Sequence, residues 1–215
     1  MQKDIFLSEE GNQWYNRNKD FEDVKVQIRN IAARYIKKED RVLEIGCSDG
    51  RNLAFINRDT GASCFGIDPS SEAIIEGSKK YPSLNLTVGT ADDLNFPDDQ
   101  FDVVIFGFCL YLIDCKLLLR VLSEADRILR NKGFMINIDF DTKIPKTRSY
   151  KHCDGVFTHK FDYIKIFEAI PFYHLVEKNS FSHFSNEFNC DPKERLCLSV
   201  LYKDIENSYI VEEDS

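Results

Sequence analysis

Short apolar runs alternate with amphipathic stretches along most of the chain. Val42, Leu43 and Ile45 make residues 41–46 read as a buried strand. Similar runs predict strands at 63–68, 84–89, 101–107 and 134–140, with a closing pair near 173–182 and 195–203. Residues of helical spacing lie between them. Phe21, Val24, Ile28, Ile31 and Tyr35 mark a helix over 20–36, and Leu53, Phe55 and Ile56 mark a short one after Gly50. Pro69-Ser-Ser opens another, where a serine can cap free N–H groups. Residues 114–130 carry the clearest amphipathic face, and Gly133 is placed to cap its end. Residues 141–157 read as irregular and 158–169 as a helix. This order predicts an α/β fold: a doubly wound, seven-stranded, mostly parallel sheet with an antiparallel edge strand.

The 215 residues, 43% of them hydrophobic, suffice for one sizeable core. A net charge of -8 opposes a broad electrostatic grip on nucleic acid. No run approaches the roughly 20 apolar residues of a membrane helix. The first residues are too polar for a secretory signal, so a cytoplasmic protein is expected. Seven cysteines include no Cys-x-x-Cys pair and several lie in apolar stretches. They read as reduced thiols, and no metal site is expected.

The chemistry concentrates at two strand ends. Residues 41–50 read Arg-Val-Leu-Glu-Ile-Gly-Cys-Ser-Asp-Gly, an apolar run closing in a small-residue turn with Glu44 just ahead of it. Cys64-Phe-Gly-Ile-Asp68 follows one helix-length crossover later. Two parallel strands ending this way form the crevice in which open α/β sheets bind nucleosides. A dinucleotide fingerprint would need Gly-x-Gly-x-x-Gly, but Ser48 and Arg51 stand at the second and third glycines, which excludes a pyrophosphate cradle.

The stretch resembles instead motif I of the class I S-adenosylmethionine-dependent methyltransferases, Asp/Glu-x-Gly-x-Gly-x-Gly. Glu44, Gly46 and Gly50 match, and Ser48 replaces the middle glycine. The resemblance covers residues 41–140 well and the rest loosely. It implies one domain, with an N-terminal lid and helix (1–36), a cofactor-binding core (41–140) and an acceptor-side segment with closing strands (141–215).

S-adenosyl-L-methionine is the implied cofactor. The resemblance puts Glu44 under the loop, toward the methionine amino group, and wraps Gly46, Cys47, Ser48 and Gly50 around the methionine portion. Asp68 would accept from both ribose hydroxyls, since each carboxylate oxygen can accept, with Pro69 beside the adenine. Family members commonly carry an acidic residue where this chain has Thr90. Asp92 is then the expected contact to the adenine amino group, and the Ala91 N–H that to a ring nitrogen. At the end of the fourth strand Phe108 would pack on the cofactor and Tyr111 would point at the acceptor, whereas Asp102 is expected to support structure.

Gly11-Asn-Gln-Trp-Tyr-Asn-Arg-Asn18 is similar to the lead of methyltransferases associated with bacterial surface-sugar pathways. Trp14 and Arg17 there suggest a lid that orders on the cofactor, with Arg17 pairing with its carboxylate. Lys143, Lys146, Arg148, Lys151 and His152 form a cationic stretch after the fifth strand, suited to an anionic acceptor. His152, His159 and Tyr163, with Tyr111, are the candidate bases. The expected activity is methyl transfer to an oxygen or nitrogen of a small polar metabolite, such as a sugar or phosphorylated intermediate. Two rivals remain: a partner subunit that binds cofactor without catalysis, and an aminopropyl transferase, against which Gly107-Phe-Cys stands where acidic pairs are expected.

Overall fold

The computed structural model describes residues 1–20, 32–182 and 195–209, and between these only 185, 187, 188, 190, 191 and 193. Most of the helix expected over 20–36 lies outside the described residues. Among the described residues, nine strands and the helices between them follow the chain: α1 (Gln2–Ile5), a π-helical segment (Phe6–Glu10), α2 (Gly11–Asn18), β1 (Arg41–Ile45), α3 (Arg51–Thr60), β2 (Ser63–Asp68), α4 (Ser71–Lys80), β3 (Asn85–Val88), β4 (Phe101–Gly107), a 3₁₀ turn (Leu110–Leu112), α5 (Leu118–Ile128), β5 (Leu129–Phe140), β6 (Lys146–Ser149), β7 (Phe157–Lys160), α6 (Ile164–Glu168), β8 (Tyr173–Ser182) and β9 (Arg195–Lys203).

Seven strands form one sheet in the order β3-β2-β1-β4-β5-β9-β8. The first five run parallel, and β9 pairs antiparallel with both β5 and β8. The antiparallel strand therefore lies one place in from the edge, and β8 forms the edge itself. Successive side chains of β4 alternate between two cores: Val103 and Ile105 face one, Val104 and Phe106 the other. That burial on both faces explains the near-continuous apolar run. Leu53 and Ile56 of α3 and Ile74 of α4 cover the first face; Val121, Leu122, Ala125 and Ile128 of α5 cover the second.

Three expectations change. Gly133 caps no helix, because α5 ends at Ile128 and Leu129 is already extended. Gly133 lies within β5, after Lys132 at a φ of 64°, where the pairing with β4 shifts register. The segment 141–157 contains β6, which pairs antiparallel with β7 as a small separate hairpin. The helix expected over 158–169 shortens to α6, since its first residues belong to β7.

Candidate functional site

The register of the sheet levels three strand ends. Ile45 stands opposite Ile67 on one side and Phe106 on the other, so the next residues, Gly46, Asp68 and Gly107, emerge together. The chain leaves β1 toward β2 while β4 flanks its other side, which makes this the topological switch point. A cavity opens there. These three residues line it with Pro69, Thr90, Ala91, Asp92 and Phe108.

Asp68 is fixed before any ligand arrives. Its Oδ2 accepts the Ser48 N–H at 2.8 Å and its Oδ1 the Ser70 N–H at 2.8 Å. Each oxygen keeps a lone pair for a further donor. Burial pushes its pKa up to about 6, against the pull of those two N–H groups. Gly46 adopts a φ of 77°, and a Cβ there would stand 2.6 Å from the Cys109 Cβ. Gly107 is equally restricted, since its Cβ would meet the Glu44 Oε1 at 2.6 Å. Glu44 itself is buried beneath the loop, accepts from Asn52 Nδ2 at 3.0 Å, and does not reach the cavity wall.

Other motif I residues support the loop from behind. Cys47 is buried in the core, and burial raises its thiol pKa strongly. Ser48 gives its N–H to Asp68. Gly50, at a φ of 74°, opens α3 against Leu84 and Leu86. Asp102 accepts the Arg41 N–H at 2.6 Å and pairs with Arg130, a structural role.

The N-terminal segment is a docked helix that roofs the cavity with Lys3, Phe6, Gly11 and Trp14. A regular helix would follow Phe6 with Glu10 on that face; the π-helical segment adds a residue and presents Gly11. Gly11 allows close packing, because a Cβ would lie 3.1 Å from the Ser70 N. Asn12 Oδ1 then accepts from both Ser70 Oγ (2.8 Å) and the Glu72 N–H (3.1 Å), completing the cap of α4 from outside. Arg17 faces away from the cavity: it pairs with buried Glu10 and donates to the Tyr150 hydroxyl at 3.2 Å.

The candidate bases do not converge. The Tyr111 ring packs 4.8 Å from Phe108 and 5.3 Å from Phe140. Burial pushes its phenol pKa above the ordinary value, which keeps it protonated at neutral pH. Tyr163 is buried and donates to the His159 carbonyl; its phenol is also raised by burial. His159 lies on β7 beside Thr147 at 3.1 Å, and burial lowers its pKa. His152 is exposed. None of these four candidates, Tyr111 included, lines the cavity. Asp139, which the sequence reading passed over, is buried behind Tyr111, accepts its N–H at 3.2 Å, and is raised by burial to about 7. Among the described residues no group of three or more His, Cys, Asp or Glu side chains could hold a metal ion, and no helix is long and apolar enough to cross a membrane.

The methyltransferase domain family matches residues 42–133, which span β1 to the start of β5 and hence the strand ends just described. That match, with the fold, supports a class I S-adenosylmethionine-dependent methyltransferase. A demethylmenaquinone methyltransferase of Lysinibacillus sphaericus is 28% identical over 70% of this chain and 61% of its own length. The chain spans about half the length of the curated relatives it matches. Among solved structures, the putative methyltransferase complexed with the Trm112 activator of Haloferax volcanii superposes with a TM-score of 0.70 at 20% identity, covering 99% of this chain and 100% of that one. The 1,6-didemethyltoxoflavin-N1-methyltransferase of Burkholderia thailandensis, solved with its acceptor and S-adenosylhomocysteine, gives 0.71 at 15% identity, covering 94% and 87%. Both likenesses concern the fold.

The residues present fit the family's cofactor. Asp68 offers fixed acceptors at the end of β2, and Gly46 and Gly107 leave no side chain over the wall between them.

Proposed function

We propose that this protein transfers a methyl group from S-adenosylmethionine to an oxygen or nitrogen of a small polar acceptor. The observation that carries the reading is the level alignment of Gly46, Asp68 and Gly107 at one cavity, with the Asp68 carboxylate oriented by two backbone N–H groups. Asp68 would hold the ribose hydroxyls, Gly46 and Gly107 would admit the methionine portion, and Pro69 and Ala91 would flank the adenine. When bound, the cofactor supplies a methyl group already activated on a sulfonium. The protein then has to exclude water and align the acceptor, and positioning alone lowers a barrier substantially. Phe108 and Trp14 line the cavity, and an acceptor would approach against them.

A small acceptor fits the net charge of -8, and two proteins similar to this chain carry the names of small-molecule methyltransferases. The acceptor is read as anionic because Lys143, Lys146, Arg148 and Lys151 enter no ion pair among the described residues. Methyl-labelled cofactor incubated with fractionated metabolite pools, followed by mass spectrometry, tests the reaction. Tight binding of S-adenosylhomocysteine with no labelled product in any pool would favour the non-catalytic subunit.

A further inference from the structure

The base end of the cavity holds an ion pair that spans roof and floor. Lys3, on the first turn of the N-terminal helix, places its Nζ 2.6 Å from the Asp92 Oδ2. Both residues line the cavity. Asp92 is 2% exposed, so this charge is neutralised out of water. Its carboxyl lies below the usual carboxylate range: burial works against ionisation, and the Lys3 ammonium and the Thr90 hydroxyl overcome it. The Asp92 carbonyl is tied separately by Arg120 Nε at 2.7 Å.

The neighbourhood anchors the backbone that carries Lys3. Adjacent Gln2 is buried and bonds four ways: its N–H to Asp114 Oδ2 (2.7 Å), its amide N–H groups to the Leu112 and Phe157 carbonyls, and its amide oxygen to the Phe157 N–H (3.0 Å). The Lys3 backbone is thereby held at the cavity, where its ion pair with Asp92 keeps the ammonium at the wall. The ammonium carries three N–H donors, one of which goes to Asp92.

Acceptor and donor thus stand side by side at the place assigned to the base. Adenine presents the complement, an amino donor next to ring-nitrogen acceptors. A lone aspartate would read only the amino group. We propose that Lys3 is a second base-reading residue, donating to an adenine ring nitrogen while Asp92 accepts from the amino group. This rests on the cofactor reading above, and it differs from a role in which Lys3 merely pins the helix.

Isothermal titration with S-adenosylhomocysteine and its 1-, 3- and 7-deaza analogues separates these roles, because each analogue replaces one ring nitrogen by C–H. Lys3→Met should raise the Kd for S-adenosylhomocysteine about tenfold, within the range for a charged hydrogen bond. For the one analogue that lacks the contacted nitrogen, the same substitution should cost less than twofold. Lys3→Arg keeps the ion pair and the docked helix, and should show the same dependence on ligand in smaller measure. It carries the test should the Met variant not fold. An equal loss for all four ligands, or no loss for any, overturns the proposal. Failure of the unsubstituted protein to bind S-adenosylhomocysteine overturns the cofactor reading itself, and is visible before any variant is made.

Discussion

The backbone N–H of Ser48 donates to the Asp68 Oδ2 at 2.8 Å. The bond joins the loop after β1 to the end of β2, and it gives the odd residue of motif I a task. A glycine at 48 would offer the same N–H. Ser48 holds a φ of 52°, so the turn accepts a side chain where the family pattern has none.

Asp68→Ala removes the charged acceptor at that strand end. It should cost about 1.5–3 kcal/mol of S-adenosylhomocysteine affinity, the range for hydrogen bonds to charged groups. The pH dependence adds a second check. The folded pKa is raised to about 6, so the ionised form that accepts two hydroxyls forms as pH rises through that value. At pH 5 only roughly one-tenth of the free protein is ionised there, and the Kd should be weaker about tenfold than at pH 7.5. Titrations at both pH values measure it; a flat profile would count against the ribose assignment.

The same shift bears on stability with the opposite sense. Asp68 and Asp139 both have folded pKa values above the ordinary carboxylate value, near 6 and 7. Each therefore favours the folded state most when protonated, and that contribution is lost as pH rises through its folded pKa. Through these two groups, unliganded protein should melt at a lower temperature at pH 8 than at pH 5. Replacing Asp139 by Asn should flatten that slope between pH 5 and 8 in thermal unfolding.

Gly46→Ala acts on the protein before it acts on a ligand. The sequence suggests that a methyl there would obstruct the cofactor more than harm the fold. The structure places the Cys109 side chain 2.6 Å from that methyl and the backbone at a φ of 77°. The left-handed conformation alone costs about 1–2 kcal/mol for an alanine. A lowered melting temperature should accompany lost binding, and calorimetric unfolding beside the titration separates the two.

The parallel core was legible because it is buried on both faces, which writes each strand as an apolar run and each crossover helix as an amphipathic one. Asp68 was legible because a carboxylate closing such a run has a position in the fold. The hairpin of β6 and β7 was not. Most of its strand residues are polar and none of them is buried, so no periodicity marks them, although Asp154-Gly155, with Gly155 at a φ of 79°, is a turn signal between the strands. Lys3 and Phe6 were missed because the π-helical segment breaks the spacing that would have aligned them with Trp14. Arg17 was misplaced toward the cofactor because sequence cannot reveal that buried Glu10 claims it.

Trp14 lines the cavity. It is the only tryptophan in the chain. Saturating S-adenosylhomocysteine should shift its emission and slow its quenching by acrylamide. A spectrum indifferent to ligand would show that the helix does not close on the cofactor.

The last expectation concerns the acceptor. Lys146 and Arg148 lie on β6, with Lys146 directly opposite Lys160 of β7, and that hairpin is tied to the roof helix where Tyr150 meets Arg17 and Phe157 meets Gln2. Positive charge is thus concentrated on a hairpin packed against the N-terminal helix in a chain of net charge -8. If the charges guide an anionic acceptor, replacing Lys146 and Arg148 together by Gln should raise KM severalfold and leave kcat nearly unchanged, because steering charges act on encounter and ground-state binding. The salt dependence of kcat/KM should flatten, since fewer charges remain to be screened over a Debye length of about 8 Å at physiological ionic strength. Cofactor affinity should hold, because neither residue lines the cavity. Steady-state kinetics across a range of salt decides it. An unchanged KM with the true acceptor would mean that the hairpin charges are only solvated, and the acceptor would then have to be recognised by Phe108 and Trp14 through shape rather than charge.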